Sequence, residues 1–168
     1  MSAAKRRAGL RITSERRESR VRWELTQGKQ EEHERLVDIW ENAVRATHHF
    51  LADADIEFYR SLVRDQALNA VELWVARQEQ GTAVGFIGLD GTRIEMLFVD
   101  PAYHGHGIGS ELIRHAERLS DSSLEVDVNE QNEAACAFYR KLGFVQSGRS
   151  DTDGSGKPYP LLHMKMQR

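Results

Sequence analysis

The amino-acid sequence predicts a mixed α/β layer fold in the order β-α-α-β-β-β-α-β-α-β-β. Three observations carry that reading. Apolar residues alternate with polar ones at Val21, Trp23, Leu25 and again at Leu124, Val126, Val128, the pattern of half-buried strands. Elsewhere they recur at three-and-four spacing, as in Leu36, Ile39, Trp40, Ala43 and Val44, the pattern of an amphipathic helix. Glycine and aspartate signals fall at the joints between these segments.

Taken in order, a first strand covers Val21, Trp23 and Leu25, and a helix follows over residues 30–47. His48-His49-Phe50-Leu51 interrupts it, and Asp53 or Asp55 can cap a second helix that runs through Leu68. Residues 71–77 form a strand, a turn follows at Glu79-Gln80-Gly81-Thr82, and residues 83–89 return as its hairpin partner. Asp90-Gly91 is a strong hairpin turn into the strand 92–99, which Asp100-Pro101 ends. Ile108, Leu112, Ile113, Ala116 and Leu119 mark the inner face of the next helix. After the strand at Leu124–Val128, a helix carries Ala134, Ala135, Phe138 and Leu142, with Gly143 where a helix C-terminus favours a left-handed residue. Residues 144–146 and 161–166 supply two closing strands around a polar loop that ends in Lys157-Pro158-Tyr159-Pro160.

The chain has 168 residues, enough for one domain with a real core. Its apolar runs are too short to span a bilayer, and the basic N-terminus lacks the apolar stretch of a signal peptide. One cysteine, Cys136, excludes an internal disulfide and a cysteine-based zinc site, and fits a reducing, cytoplasmic setting. Residues 1–22 hold eight Lys/Arg against two Glu, a local charge of +6, which leaves −9 on the remainder of a chain whose total is −3. Residues 1–20 therefore read as a disordered basic arm ahead of a domain spanning 21–168. The acidic body disfavours nucleic acid as the main partner, and only the arm is suited to it. No membrane partner is expected, and the sequence leaves monomer and homodimer open.

His104-Gly105-His106-Gly107-Ile108-Gly109-Ser110 lies between a strand and a helix. Glycines there let the backbone approach a ligand closely, and the freed amides at a helix N-terminus make an anion site. The spacing is not that of a dinucleotide loop, too few residues follow for a doubly wound sheet, and a P-loop lysine is absent. His104 and His106 in an H-x-H spacing lack the third ligand that a metal site needs.

The strand, Asp100-Pro101, the glycine loop and its helix resemble the acyl-CoA-binding motif of the GNAT family of N-acetyltransferases. Residues 129–144, from Asn129 through Asn132 and Tyr139 to Gly143-Phe144, resemble that family's second motif. Further segments, Trp40 with Ala46-Thr47-His48-His49-Phe50-Leu51 and the run Gly156-Lys157-Pro158-Tyr159-Pro160-Leu161-Leu162, resemble a bacterial branch that acetylates peptidyl lysine. The resemblance runs from about Val21 to the C-terminus. It implies a central, mostly antiparallel sheet of seven strands flanked by four helices and splayed at the acyl-CoA site. It further implies direct transfer of acetyl from acetyl-CoA to a primary amine, on a protein lysine or a small molecule, in a ternary complex. A non-catalytic acyl-CoA sensor is the alternative of a different class.

The resemblance places the pyrophosphate on the amides of His104, Gly105, His106, Gly107, Ile108, Gly109 and Ser110. The pantetheine arm would pair with Leu97, Phe98 and Val99, near the side-chain amide of Asn132, which as an alternative caps a helix. Where the family usually has Arg or Gln, this chain has His104, so cofactor binding should tighten as pH falls through the histidine range near ~6.5. Tyr139 is the candidate general acid for the departing thiolate, a phenol of pKa ~10 being protonated at neutral pH; a packing role beside Phe138 is the alternative. Glu95 and His48 are the candidate bases. Strand alternation puts Glu95 on the face of Leu97 and Val99 unless a bulge intervenes, and Arg93 can simply pair with it. Cys136, between two alanines, reads as a small packing site rather than a nucleophile.

Overall fold

A computed structural model of the chain describes residues 23–167. The basic arm and Val21 lie outside the described residues. Seven strands and four helices follow in the predicted order. They are β1 (Glu24–Gln27), α1 (His33–Thr47), α2 (Asp53–Asp65), β2 (Glu72–Arg77), β3 (Ala83–Asp90), β4 (Arg93–Val99), α3 (Ile108–Leu119), β5 (Glu125–Asn129), α4 (Glu133–Lys141), β6 (Phe144–Ser150) and β7 (Leu161–Met166). The strands form one sheet in the order β1-β2-β3-β4-β5-β7-β6. Every neighbouring pair is antiparallel except β4 and β5.

Helices cover the sheet on two sides. Leu36, Ile39, Trp40 and Val44 of α1 and Ile56 and Val63 of α2 pack with Leu73, Val75, Phe86 and Met96. Ile108, Leu112, Ile113 and Ala116 of α3, with Cys136 and Tyr139 of α4, pack with Val84, Ile87, Ile94, Val126, Val128, Leu162 and Met164. Burying each such Leu or Ile contributes about 1.5–3 kcal/mol, so these stripes hold the layers together. Trp23 and Trp40 are buried as the sequence predicts; Trp74 is half-buried, its ring edge against His115.

Several boundaries differ from the sequence reading. The second helix stops at Asp65, and Ala67–Asn69 forms a separate 3-10 turn. Neither Asp53 nor Asp55 caps it; Ala52 holds the N-cap position without a side-chain bond, and Asp55 instead serves the loop before β7. β6 continues to Ser150, because a bulge between Gln146 and Gly148 lets its pairing with β7 resume. Gly143 takes φ +93°, as the helix stop requires.

Two irregularities shape the centre of the sheet. β4 and β5 pair only at Arg93–Glu125 and Ile94–Val126, then separate, leaving the edge of Leu97–Val99 without a strand partner. One strand over, Leu89 pairs with Ile94 and Gly88 with Met96, so Glu95 is an extra, bulged residue. Ile94 consequently packs on the α3–α4 side and Met96, two residues on, on the α1–α2 side. Simple alternation breaks at Glu95, which corrects the placement of Glu95 beside Leu97 and Val99. No helix of the described residues is long and apolar enough to cross a membrane.

Candidate active site

The separation of β4 from β5 opens a cavity of about 470 Å³, bordered by Leu97, Phe98 and Val99 on one side and by Asn132, Phe138 and Tyr139 on another. Its end is closed by His104, Gly105, Gly107, Ile108, Gly109 and Ser110. Gly107 is the N-cap of α3 at φ +78°, a left-handed conformation that other L-residues enter only at a cost. The first, internally unbonded amides of α3 lie at that end of the cavity, where a helix N-terminus is able to hold an anion, and the bare edge of Leu97–Val99 beside them suits a peptide-like chain.

A second cavity of about 120 Å³ lies in the same gap, bordered by Glu95, Asp127, Val128 and Asn129. His48, Leu97, Phe98, Asn132, Ala135 and Tyr139 border both, so the two meet at one throat.

Tyr139 sits at that throat, 7% exposed, its ring edge-on to Phe138 and Phe144. Burial pushes its phenol pKa upward, and its hydroxyl forms no hydrogen bond among the described residues, which leaves a proton to donate. The ring packs in the core, and the residue borders both cavities.

His48 follows α1. Thr47 Oγ1 donates to Ala43 O at 2.7 Å, so its oxygen accepts from His48 Nδ1–H at 2.8 Å. That assignment leaves the Nε2 lone pair toward Asn132 Nδ2, 3.4 Å away. Desolvation, with the neighbouring charge of His49, pushes the His48 pKa down to about 4 and keeps the imidazole neutral. Asn132 is 8% exposed, and its Oδ1 accepts from Ala135 N at 3.1 Å, so the capping alternative holds. Its amide nitrogen lies 3.4 Å from His48 Nε2, and both residues border the two cavities.

Glu95 borders the smaller cavity but is exposed and paired with Arg93, Nε to Oε1 3.0 Å. His104 Nε2 hydrogen-bonds the Val99 carbonyl at 2.9 Å. The His106 ring packs edge-on to Trp23 at 6.3 Å, and His106 does not border the larger cavity, whereas Gly105 and Gly107 on either side of it do. The two rings of the H-x-H spacing thus take different partners. Cys136 is 3% exposed with its thiol pKa pushed up by burial, a packing residue.

Sequence reasoning missed two features. The loop before β7 is strapped onto α2 by Tyr159 to Asp55, Tyr59 to Asp153, and Lys157 Nζ to Asp55 at 2.9 Å. Beside the smaller cavity, Asp127 is held by Arg93 at 2.6 Å and by His163 Nδ1 at 2.6 Å. Burial would raise the Asp127 pKa, but those two hydrogen bonds outweigh it and hold the carboxyl below its usual range. The paired Tyr/Asp and Arg/Asp partners are tens of residues apart, beyond any local spacing signal.

A splayed parallel pair beside a glycine-built helix N-terminus fits an acyl-CoA-dependent acyltransferase, with room for a phosphate end and a peptide-like arm. Residues 69–146 match the sequence profile of the acetyltransferase (GNAT) domain. The chain is 44% identical over 140 residues to peptidyl-lysine N-acetyltransferase YjaB of Salmonella typhimurium, covering 83% of this chain and 95% of that one. YjaB of Escherichia coli matches at the same identity. The solution structure of its apo form superposes with a TM-score of 0.79 at 43% identity, over 85% of this chain and 96% of that one. A Thermoplasma acidophilum PaiA N-acetyltransferase in complex with coenzyme A shares the fold, TM-score 0.71 at 22% identity, over 88% and 99% of the two chains. The chain belongs to the GNAT family and is an acetyl-CoA-dependent N-acetyltransferase.

Proposed function

We propose that the acceptor is a lysine side chain of a protein or peptide, acetylated directly in a ternary complex in the bacterial cytoplasm. The meeting of the two cavities at Tyr139 carries this reading, since a thioester in the larger and an amine in the smaller would face each other there. The likeness to YjaB over nearly the whole of that chain supports lysine as the acceptor.

In this reading the amides of Ile108, Gly109 and Ser110 hold the pyrophosphate, with the backbone of His104 to Gly107 beside them. Leu97, Phe98 and Val99 orient the pantetheine through their open strand edge. An amine of pKa about 10.4 must lose its proton, and Glu95, bordering the acceptor cavity and exposed to solvent, takes it through water. His48, with its pKa near 4, is too weak a base for that step and instead stays neutral at the throat, its Nε2 turned to the Asn132 amide. Tyr139 protonates the departing thiolate. The catalytic domain begins near residue 21, with the basic arm outside it.

Release of free thiol from acetyl-CoA against a panel of lysyl peptides and small amines tests this reading, with Tyr139→Phe in parallel. Release that requires a lysyl peptide, and falls roughly 10²-fold or more in Tyr139→Phe at unchanged acetyl-CoA affinity, is the expected result. Release with small amines alone overturns the acceptor. A large loss of acetyl-CoA affinity in Tyr139→Phe makes the ring structural.

A further inference from the structure

We propose that Arg93 is a specificity-determining residue, which sets the charge met by the acceptor so that a singly charged amine is preferred over di- and polyamines. The inference rests on the smaller cavity being the acceptor's and on lysine being the acceptor.

Arg93 stands at the last rungs of the β4–β5 ladder, where the two strands part. Its guanidinium reaches across the gap, Nε to Glu95 Oε1 at 3.0 Å and Nη2 to Asp127 Oδ2 at 2.6 Å. Glu95 and Asp127 border the smaller cavity and Arg93 does not, so the arginine approaches its carboxylates from outside the space that the acceptor enters. The other oxygen of Asp127 accepts from His163 Nδ1, whose Nε2 is 2.7 Å from Ser150 Oγ. His163 and Ser150 do not border the smaller cavity, so the ring stands behind Asp127 rather than in the space the acceptor enters. His48, the titratable nitrogen of the lining, is neutral. Glu125 and Lys165 pair with each other at 3.2 Å outside the lining.

The cavity therefore presents two carboxylates backed by one guanidinium, a residual charge of one. A single ammonium balances it. A second ammonium on the same molecule finds no free carboxylate and meets the field of Arg93. Arg93 also keeps both acids from collapsing onto the first cation, since each retains a partner when the acceptor leaves.

The test compares kcat/KM for a lysyl peptide and for spermidine in full-length wild type, Arg93→Gln and Arg93→Lys, with acetyl-CoA Kd as the control. Wild type should prefer the peptide. Arg93→Gln should shift the ratio toward spermidine by about tenfold, through KM, with the shift shrinking as salt is added. Arg93→Lys, which restores the charge, should restore most of the preference. An unchanged ratio in Arg93→Gln at unchanged Kd overturns the inference while lysine acetylation stands, as does Arg93→Lys behaving like Arg93→Gln. Wild type that acetylates spermidine and no peptide overturns the acceptor reading and this inference with it. Should Arg93→Gln fail to fold, Asp127→Asn decides: the peptide KM should rise by a similar factor, and an unchanged KM overturns the charge argument.

Discussion

Asn132 Nδ2 lies 3.4 Å from His48 Nε2, so a single amide joins the start of α4 to the end of α1. Its other end, Oδ1, accepts from Ala135 N at 3.1 Å and caps α4. One side chain thus joins a helix start to the orientation of the His48 imidazole.

Two substitutions separate those duties. Asn132→Ala removes the cap and should cost about 0.5–2 kcal/mol in denaturant unfolding. Asn132→Asp keeps an oxygen for Ala135 N and should hold stability within a few tenths of that of wild type at neutral pH. The Asp variant cannot donate to His48, and its carboxylate should raise the imidazole pKa. An acceptor KM that changes in Asn132→Asp without a change in melting temperature marks the contact with His48 as functional; equal melting losses in both variants would refute the capping assignment.

His48 gives the fold an acid-sensitive element. Its pKa falls from 6.5 to about 4 on folding, by desolvation and the charge of His49. A histidine with a depressed folded pKa is protonated more readily in the unfolded chain. The stability linked to it is full above about pH 6.5 and is lost as pH falls toward 4. His48→Gln, which cannot titrate, should show a shallower loss of stability across that window, read from chemical denaturation at a series of pH values. Parallel losses in the two proteins would assign the acid sensitivity to other groups.

Much of this arrangement was legible in the residues. Alternation marked the strands near Trp23 and Val126, three-and-four spacing marked α1 and α3, and turn and cap signals bounded the rest, so the order of seven strands and four helices could be read from local properties of the chain. The glycines of the loop marked the phosphate end of the cavity, and Gly107 and Gly143 take the left-handed conformations that their positions suggest. What sequence could not supply was non-local. The bulge at Glu95 is defined by the pairing of Ile94 and Met96 with adjacent residues of β3, and no spacing within β4 reports it. Asp55 read as a helix cap because local chemistry favours that, whereas Lys157 and Tyr159, about a hundred residues on, claim its carboxylate. His106 shared the loop's composition with His104, yet only the fold shows that its ring turns to Trp23.

The bond from His104 Nε2 to the Val99 carbonyl limits what its ring can offer a phosphate. The carbonyl requires Nε2–H, so in the neutral ring Nδ1 carries a lone pair that cannot donate to phosphate. His104→Arg brings a fixed charge and several donors, and should bind acetyl-CoA more tightly, by about tenfold in calorimetry. Equal affinities in wild type and His104→Arg would remove this side chain from phosphate recognition.

Gly107 is the backbone counterpart. At φ +78°, an alanine side chain meets no atom within 4 Å, so any effect of Gly107→Ala comes from conformation rather than clash. The substitution should destabilise the protein by about 1–2 kcal/mol. If the turn relaxes instead, the amides of α3 shift and acetyl-CoA affinity falls by about tenfold or more. Calorimetry and unfolding on the same preparation distinguish the two, and no change in either would mean that the left-handed cap is dispensable.

The strap over α2 acts on the other half of the site. Tyr159 and Lys157 both bind Asp55, and the Tyr159 ring leans on Phe50 at 6.0 Å, which in turn packs against His48 at 5.3 Å. The loop before β7 is thereby linked, ring to ring, to the throat where the acceptor is proposed to sit. Hydrogen bonds from Tyr159 and Lys157 hold the Asp55 carboxyl below its usual range, so the latch stays charged at neutral pH and loosens only under strongly acid conditions. Asp55→Asn keeps the size of the side chain but loses the charge that Lys157 needs. It should raise the KM of the acceptor several-fold while leaving acetyl-CoA affinity as it is, because nothing in the strap borders the larger cavity. A loss confined to acetyl-CoA binding would show that the strap supports the cofactor arm instead.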